Sequence, residues 1–223
     1  LGGGGHTSSM LEQNAPRGRV LAVDLDDETI AKTGSSLKRF GKRLTIVRGN
    51  FHDIGRIARN EGFESVAGVL YDLGLSTDLI KASGRGFSFL SDEPLDMRFD
   101  TERGIRAEDI VNSWTEKEIA DCIFAYGEER YSRRIAKQIV LARKKQRIKT
   151  TSDLVGIIER SVPPPYRRGR IHCATRTFQG LRIAVNDELD GLGRSLQQSF
   201  DLLRSGGRMV VISFHSLEDR IVK

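Results

Sequence analysis

The sequence predicts an α/β protein built on a parallel sheet, with a helical domain inserted into it. Three observations carry this reading. Short apolar, strand-like runs alternate with helix-length segments over the first part of the chain. A Gly-, Ser- and Asp-rich stretch then gives way to purely helical patterning. Finally, an amphipathic helical pattern followed by an apolar run returns near the end.

Taken in order, "RVLAVDLD" (Arg19 to Asp26), "LTIVRGNF" (Leu44 to Phe51) and "VAGVLYDLG" (Val66 to Gly74) are strand signals. Between them, "DETIAKTGSSLKRF" and "HDIGRIARNEGF" have helical spacing, with His52 or Asp53 at the N-cap of the second. Strands apolar on both faces and separated by helices indicate a parallel sheet with right-handed crossovers. From Ser76 to Arg106 no period is visible. A stretch of that length inside a domain is usually functional or disordered, and the aromatics and Pro94 of "GRGFSFLSDEPLDMRFD" favour an ordered, functional loop.

"TEKEIADCIFAYG" opens with a Thr115/Glu118 capping box. "EERYSRRIAKQIVLARKKQ" lines up Tyr131, Ile135, Ile139 and Ala142, flanked by Arg130, Arg134, Lys137 and Lys144. "SDLVGIIERSV" must stop at Pro163. Residues 105–173 therefore read as an inserted helical domain between two parts of an α/β domain, 1–104 and 174–223. In the second part, Phe178, Leu181, Val185, Leu189, Leu192, Leu196, Phe200 and Leu203 define one long helix. Ser205-Gly206-Gly207 closes it, and "RMVVISF" is the last strand.

Composition narrows the classes. Hydrophobic residues make up 38% and charged residues 30%, the balance of a folded globular protein. No apolar stretch approaches the roughly 20 residues that span a bilayer, so no membrane partner is expected. Cys122 and Cys173 form no CxxC pair and read as reduced thiols of a cytoplasmic protein. The four histidines lack zinc-like spacing, so no metal is expected. The net charge is +6, and it is concentrated: nine Lys or Arg and no acid between Arg130 and Lys149, then six arginines from Arg160 to Arg182. Such clusters gain affinity for polyanions by releasing counterions from phosphates. The chain begins on Leu1 rather than methionine and stops within a helical pattern, so both ends read as internal.

The candidate site lies at strand ends. "GGGGHTS" either offers glycines that let a ligand approach a helix N-terminus or is a flexible truncated end, and its lack of GxGxxG speaks against a nicotinamide dinucleotide. Asp24 closes its strand where an acid accepts from ribose hydroxyls in nucleotide-type folds; helix capping is the other reading, and Asp26 could supply that instead. Asp72 closes another strand. With the turn around Phe51, these groups would line one sheet edge and suit an adenosine-containing cofactor.

"GGGGHTS", "DLGLS", "RGFSF", "PLDMRFD", "YGEERYSRRIAKQIV", "ATRTFQGLRIAVNDEL" and "GGRMVVISFHSLEDRIVK" together resemble the bacterial 16S rRNA (cytosine-N4)-methyltransferase family, of the RsmH/MraW type, across essentially the whole chain. The resemblance implies a Rossmann-like fold with an inserted helical substrate-recognition domain. It also implies S-adenosyl-L-methionine as cofactor and a cytidine near the decoding centre as substrate. Partners would be 16S rRNA or the small ribosomal subunit; whether the chain forms a homodimer stays open. By matching motif, Gly4, Gly5 and His6 would contact the methionine portion, Asp24 the ribose hydroxyls and Phe51 the adenine. Asp72 would complete the pocket. An acceptor that hydrogen-bonds the reacting amine suits methyl transfer, and Asp72, or a backbone carbonyl of "DLGLS", is the catalytic candidate. Ser213 and His215 either reach the same edge or support the chain turn. Phe87 or Phe89 either stacks on a flipped base or packs internally.

Leu79 stands where the family commonly has a glutamine, and "DEPLDMRFD" replaces the more usual "DGPLDMRMD". The family's leading segment and C-terminal tail have no counterpart here. Two rival readings remain: an aminomethyltransferase acting on DNA, separable by sensitivity to 2′-hydroxyls, and a non-catalytic RNA-binding fragment.

Overall fold

A computed structural model describes residues 1–75 and 83–223; Leu79 therefore lies outside the described residues. The chain divides into two compact units, Leu1–Ser76 with Leu189–Lys223, and Thr77–Glu188.

In the first unit α1 (Gly5–Gln13) leads to β1 (Val20–Asp24), α2 (Asp27–Ser36) and β2 (Leu44–Arg48). A 3₁₀ turn (Phe51–Asp53), α3 (Ile54–Asn60) and β3 (Val66–Asp72) follow. Asp26 caps α2, its carboxylate accepting from the Thr29 N–H at 2.9 Å. Asp53, one of the two residues expected at the N-cap of α3, occupies it without a side-chain cap hydrogen bond, and Asn50 caps the 3₁₀ turn before it by accepting from the His52 N–H.

The sequence suggests one parallel sheet. The described strands instead form two parallel ladders, β1 with β2 and β3 with β4 (Leu203–Ile212). Register runs from Val20 against Leu44 to Asp24 against Arg48 in the first. In the second, Asp72 lies opposite Ile212. The second ladder slips in register between Val66 and Gly68, on the stretch facing Gly206, whose φ is 74°. Ser205-Gly206-Gly207, expected to close a helix, is thus an irregular start to β4. A glycine is the residue that tolerates this backbone.

The single long helix expected from Phe178 to Leu203 is two. After the second unit's α4 (Ala107–Ser113), α5 (Glu116–Gly127), α6 (Ser132–Arg143), α7 (Thr151–Ser161) and α8 (Pro164–Arg167) come α9 (Thr175–Asn186) and α10 (Glu188–Leu202). Asp187, at φ 51°, separates the last two. The apolar step from Val185 to Leu189 continues across this break, which hides it from periodicity. Phe200, assigned to the apolar stripe, is 68% exposed, while Ser195 and Ser199 are fully buried. They are buried because the Tyr71 hydroxyl reaches them, at 2.6 Å from Ser199 Oγ. The first unit ends with α11 (Ser216–Val222).

The second unit is wider than the 105–173 expected. It takes in the loop before α4, because Leu95 and Met97 are core residues beside Ile110, Ile135 and Leu154. It also takes in α9, whose Phe178 and Leu181 belong to the same core. The Thr115/Glu118 capping box is formed as read, with Glu118 accepting from the Thr115 N–H at 2.7 Å. α5 and α9 approach closely at glycines: a Cβ on Gly127 would sit 2.2 Å from the Arg176 carbonyl oxygen. No helix among the described residues is long and apolar enough to cross a membrane.

Candidate functional site

The six residues singled out in the sequence all lie in the first unit, around the C-terminal ends of the two ladders. They are linked by a chain of contacts. Gly2 donates its N–H to Asp24 Oδ2 at 2.9 Å. From the end of β1, the Asp24 carbonyl accepts from the Gly49 N–H at 2.8 Å, just before the turn that carries Phe51. The Phe51 ring meets Tyr71 edge-on, centroids 6.2 Å apart, and Tyr71 precedes Asp72. His6 Nε2 stands 3.7 Å from Asp72 Oδ2, returning the circuit to the glycine segment.

Each position has a local cause. Gly4 has φ 82° and N-caps α1. A Cβ there would lie 2.7 Å from Thr33 Cγ2, so only glycine lets the segment settle on α2. Thr33 Oγ1 donates to the Gly2 carbonyl at 2.8 Å, fastening the segment from the other side. Gly5 and His6 occupy the first turn of α1, where backbone N–H groups have no intrahelical acceptor. Asp24 is not the helix cap; Asp26 is.

The Asp24 carboxylate is already well used. Oδ1 accepts from the Leu25 and Asp26 N–H groups at 2.8 and 3.1 Å. Among the described residues, Oδ2 accepts from the Gly2 N–H alone. A carboxylate offers about four acceptor positions. A ribose hydroxyl therefore fits at Oδ2, and gripping a second one requires an exchange with the Gly2 N–H. Asp72 is half exposed and more open, as is His6.

The Phe51 turn is clamped by α10, a feature the sequence did not signal. Ser195 Oγ donates to the Phe51 carbonyl at 2.8 Å. Gln198 Nε2 donates to the His52 carbonyl at 2.8 Å, and its Oε1 accepts from the Gly55 N–H at 2.9 Å. Tyr71 completes the network by donating to the Ser195 carbonyl at 3.0 Å, with the Ser195 hydroxyl also in contact. Desolvation pushes the Tyr71 phenol above its ordinary range, against the two serine hydrogen bonds. It stays a neutral donor.

His215 supports the chain turn: it caps α11, its Nδ1 accepting from the Glu218 N–H at 3.3 Å. Glu218 in turn accepts from the Phe214 N–H at 2.8 Å.

In the second unit, Asp96 and Arg98 pair through two hydrogen bonds of 2.7 and 2.9 Å. Burial alone would raise the Asp96 pKa, but Arg98 and Arg106 more than offset it and hold the carboxyl below its ordinary range. Phe87 stacks on Phe99 at 5.6 Å and Phe89 on His172 at 4.8 Å, so both expected stacking rings are engaged within the unit. Glu159, His172 and Cys173 bring three groups of metal-ligating type within 4.8 Å, which their sequence spacing did not suggest. His172 Nδ1, however, accepts from the Ala174 N–H at 3.2 Å. In the neutral ring Nε2 then carries the proton and faces Glu159, which is a donor arrangement rather than a ligand lone pair.

A glycine turn and a carboxylate at the end of each of two parallel ladders form the kind of edge where open α/β sheets bind nucleotide-like ligands. The chain belongs to the MraW methylase family, whose model matches residues 1–223; it is a methyltransferase. Among similar proteins is the ribosomal RNA small subunit methyltransferase H of Thermomicrobium roseum, 50% identical over all 223 residues, which span 68% of that protein. The enzymes of the same name from Symbiobacterium thermophilum and Persephonella marina are each 48% identical over the whole chain, which spans 70% and 75% of them.

Proposed function

We propose that the chain methylates the N4 exocyclic amine of a cytidine in small-subunit (16S) rRNA near the decoding centre, in the cytoplasm, with S-adenosyl-L-methionine as methyl donor. The observation that carries this is the contact circuit joining the glycine segment, Asp24, Phe51, Asp72 and His6, in a chain whose relatives are named ribosomal RNA small subunit methyltransferases.

Gly4, Gly5 and His6 hold the amino-acid portion of the cofactor, with the free N–H groups of the α1 first turn suited to a carboxylate. Asp24 accepts a ribose hydroxyl at Oδ2, and Phe51 lies along the adenine. When bound, the cofactor supplies an electrophilic methyl group on a sulfonium. Asp72 accepts a hydrogen bond from the attacking amine and stabilises the positive charge that develops on its nitrogen. His6 orients the Asp72 carboxylate. The amine gains a methyl group and loses one proton, which can pass to water, so positioning supplies most of the rate. The helical unit, interposed in sequence, serves substrate recognition, its exposed cations meeting rRNA phosphates without reading sequence.

Calorimetric titration of S-adenosylmethionine into this chain, beside an Asp24→Ala variant, tests the cofactor site. Saturable binding to the parent and its loss in the variant are expected. Equal binding to both sinks the assignment of Asp24. Methyl transfer to small-subunit rRNA but not to the matching DNA then decides the substrate class.

A further inference from the structure

Several guanidinium groups of the second unit are employed within it. Arg98 grips Asp96, Arg182 grips Glu188 and Arg147 pairs with Glu108. Arg143 and Arg176 donate to the Val111 and Glu128 carbonyls. The guanidinium groups of Arg130, Arg134, Arg167, Arg168 and Arg170 form no hydrogen bond or ion pair among the described residues, and all five residues are exposed.

Arg130 is nonetheless held in place. Its Cζ lies 4.9 Å from the centroids of both Tyr131 and Tyr166. These rings meet at 4.9 Å, close to edge-on. Arg134 stands 5.9 Å from the Tyr131 centroid, and Arg167 follows Tyr166 at the end of α8. Beneath them sits Glu129, with no exposed surface. Its Oε1 accepts from the Tyr131 N–H at 2.8 Å, and its Oε2 accepts from the Tyr166 hydroxyl at 2.5 Å. A buried carboxylate is costly unless hydrogen-bonded. Here its bonds hold the Tyr131 backbone and the Tyr166 ring, the two residues whose faces meet an otherwise unpaired arginine.

A guanidinium fork matches phosphate bidentately, and one already oriented by aromatic faces loses less freedom on binding. A single anion would engage one or two of these side chains. Five unpaired guanidiniums spread over residues 130–134 and 167–170 suit a polymer of phosphates.

We propose that Arg130, held by Tyr131 and Tyr166 over Glu129 and flanked by Arg134, is a phosphate seat for the backbone of a single-stranded RNA segment. It rests on the rRNA reading above and narrows it to one grip within two long basic stretches. Arg130 touches the phosphate; Glu129 and Tyr166 are positioning residues.

The test is fluorescence anisotropy of a labelled single-stranded oligoribonucleotide, over a series of salt concentrations, with the full chain and three variants. Arg147→Ala removes the same charge from a paired arginine and serves as control. Arg130→Ala is expected to weaken binding about tenfold and to lower the slope of log K against log salt by roughly 0.7, while Arg147→Ala changes neither appreciably. Arg130→Lys should restore the slope but not the affinity, since a point charge lacks the fork. Tyr166→Phe keeps the ring, frees it from Glu129 and should lower affinity with the slope unchanged. Equal losses in Arg130→Ala and Arg147→Ala would reduce the effect to net charge and overturn the proposal. So would parent-like RNA affinity in Arg130→Ala; rRNA methylation retained alongside it would leave the wider function standing. A parent chain that neither binds the oligoribonucleotide nor methylates rRNA overturns both.

Discussion

Asn186 Nδ2 donates to the Met97 carbonyl at 2.7 Å, while its Oδ1 accepts from the Phe99 N–H at 2.8 Å. The amide thus brackets a buried methionine whose backbone sits at φ 63°. A non-glycine residue in that region costs on the order of 1–3 kcal/mol and persists only when its surroundings enforce it.

Asn186→Ala is therefore expected to destabilise the Thr77–Glu188 unit by about 2–3 kcal/mol, read as a lower denaturant midpoint at unchanged slope. Asn186→Asp keeps the acceptor for Phe99 but cannot donate to Met97, and should fall between the two. An alanine variant as stable as the parent would show that the Met97 conformation is held by core packing alone.

Gln198 closes both polar ends of the Phe51–Gly55 turn. Gln198→Ala leaves the His52 carbonyl and Gly55 N–H without these partners, a cost of roughly 1–3 kcal/mol. On the proposed site, S-adenosylmethionine affinity should fall several-fold while the far-ultraviolet circular dichroism stays unchanged. Unaltered cofactor affinity in a variant with lowered stability would detach this turn from the cofactor.

Tyr166 gives a pH signature. Burial, then the hydrogen bond to Glu129, pushes its phenol up to about 12, against about 10 in an unfolded chain. The folded state holds its proton longer than the unfolded state. The associated stability is present below pH ~10 and lost as pH rises through the folded value. Unfolding midpoints across that window should fall more steeply for the parent than for Tyr166→Phe; parallel curves would remove Tyr166 as the cause.

Burial pushes the Cys122 thiol up to about 12 and raises Cys173 as well. Both side chains are buried and free. Little thiolate is present near neutral pH, so a thiol reagent should modify Cys122 only as fast as the chain opens. Both thiols should react readily past the denaturation midpoint. Rapid labelling of Cys122 in native buffer would contradict its burial between α5 and α9, where Sγ donates to the Gly180 carbonyl at 3.6 Å.

Two strand ends, at Asp24 and Asp72, were legible because each closes an apolar run on an acid. The Thr115 capping box was legible because its two partners are three residues apart. What escaped was non-local. Ser195 and Ser199 look like solvent-facing positions until Tyr71, more than a hundred residues earlier, is laid against them. The break at Asp187 is set by a single left-handed residue, and apolar spacing runs through it unchanged. The breadth of the helical unit was hidden for a similar reason: Leu95 and Met97 sit in a segment without periodicity, yet their side chains are core. The grip of Arg130 was invisible among fifteen basic residues because only the fold reveals which guanidiniums are already occupied.

The clamp on the Phe51 turn has a consequence for how the chain is made. Its fastening groups, Ser195 and Gln198, lie 143 to 146 residues downstream of the carbonyls and N–H they bind. During synthesis from the N-terminus, β1 and β2 can pair early, since both partners have already emerged. The pairing of β3 with β4 and the clamp of α10 on the turn beside Phe51 form only after the whole interposed unit has been translated. A nascent chain halted within that unit therefore carries the turn beside Phe51 unfastened.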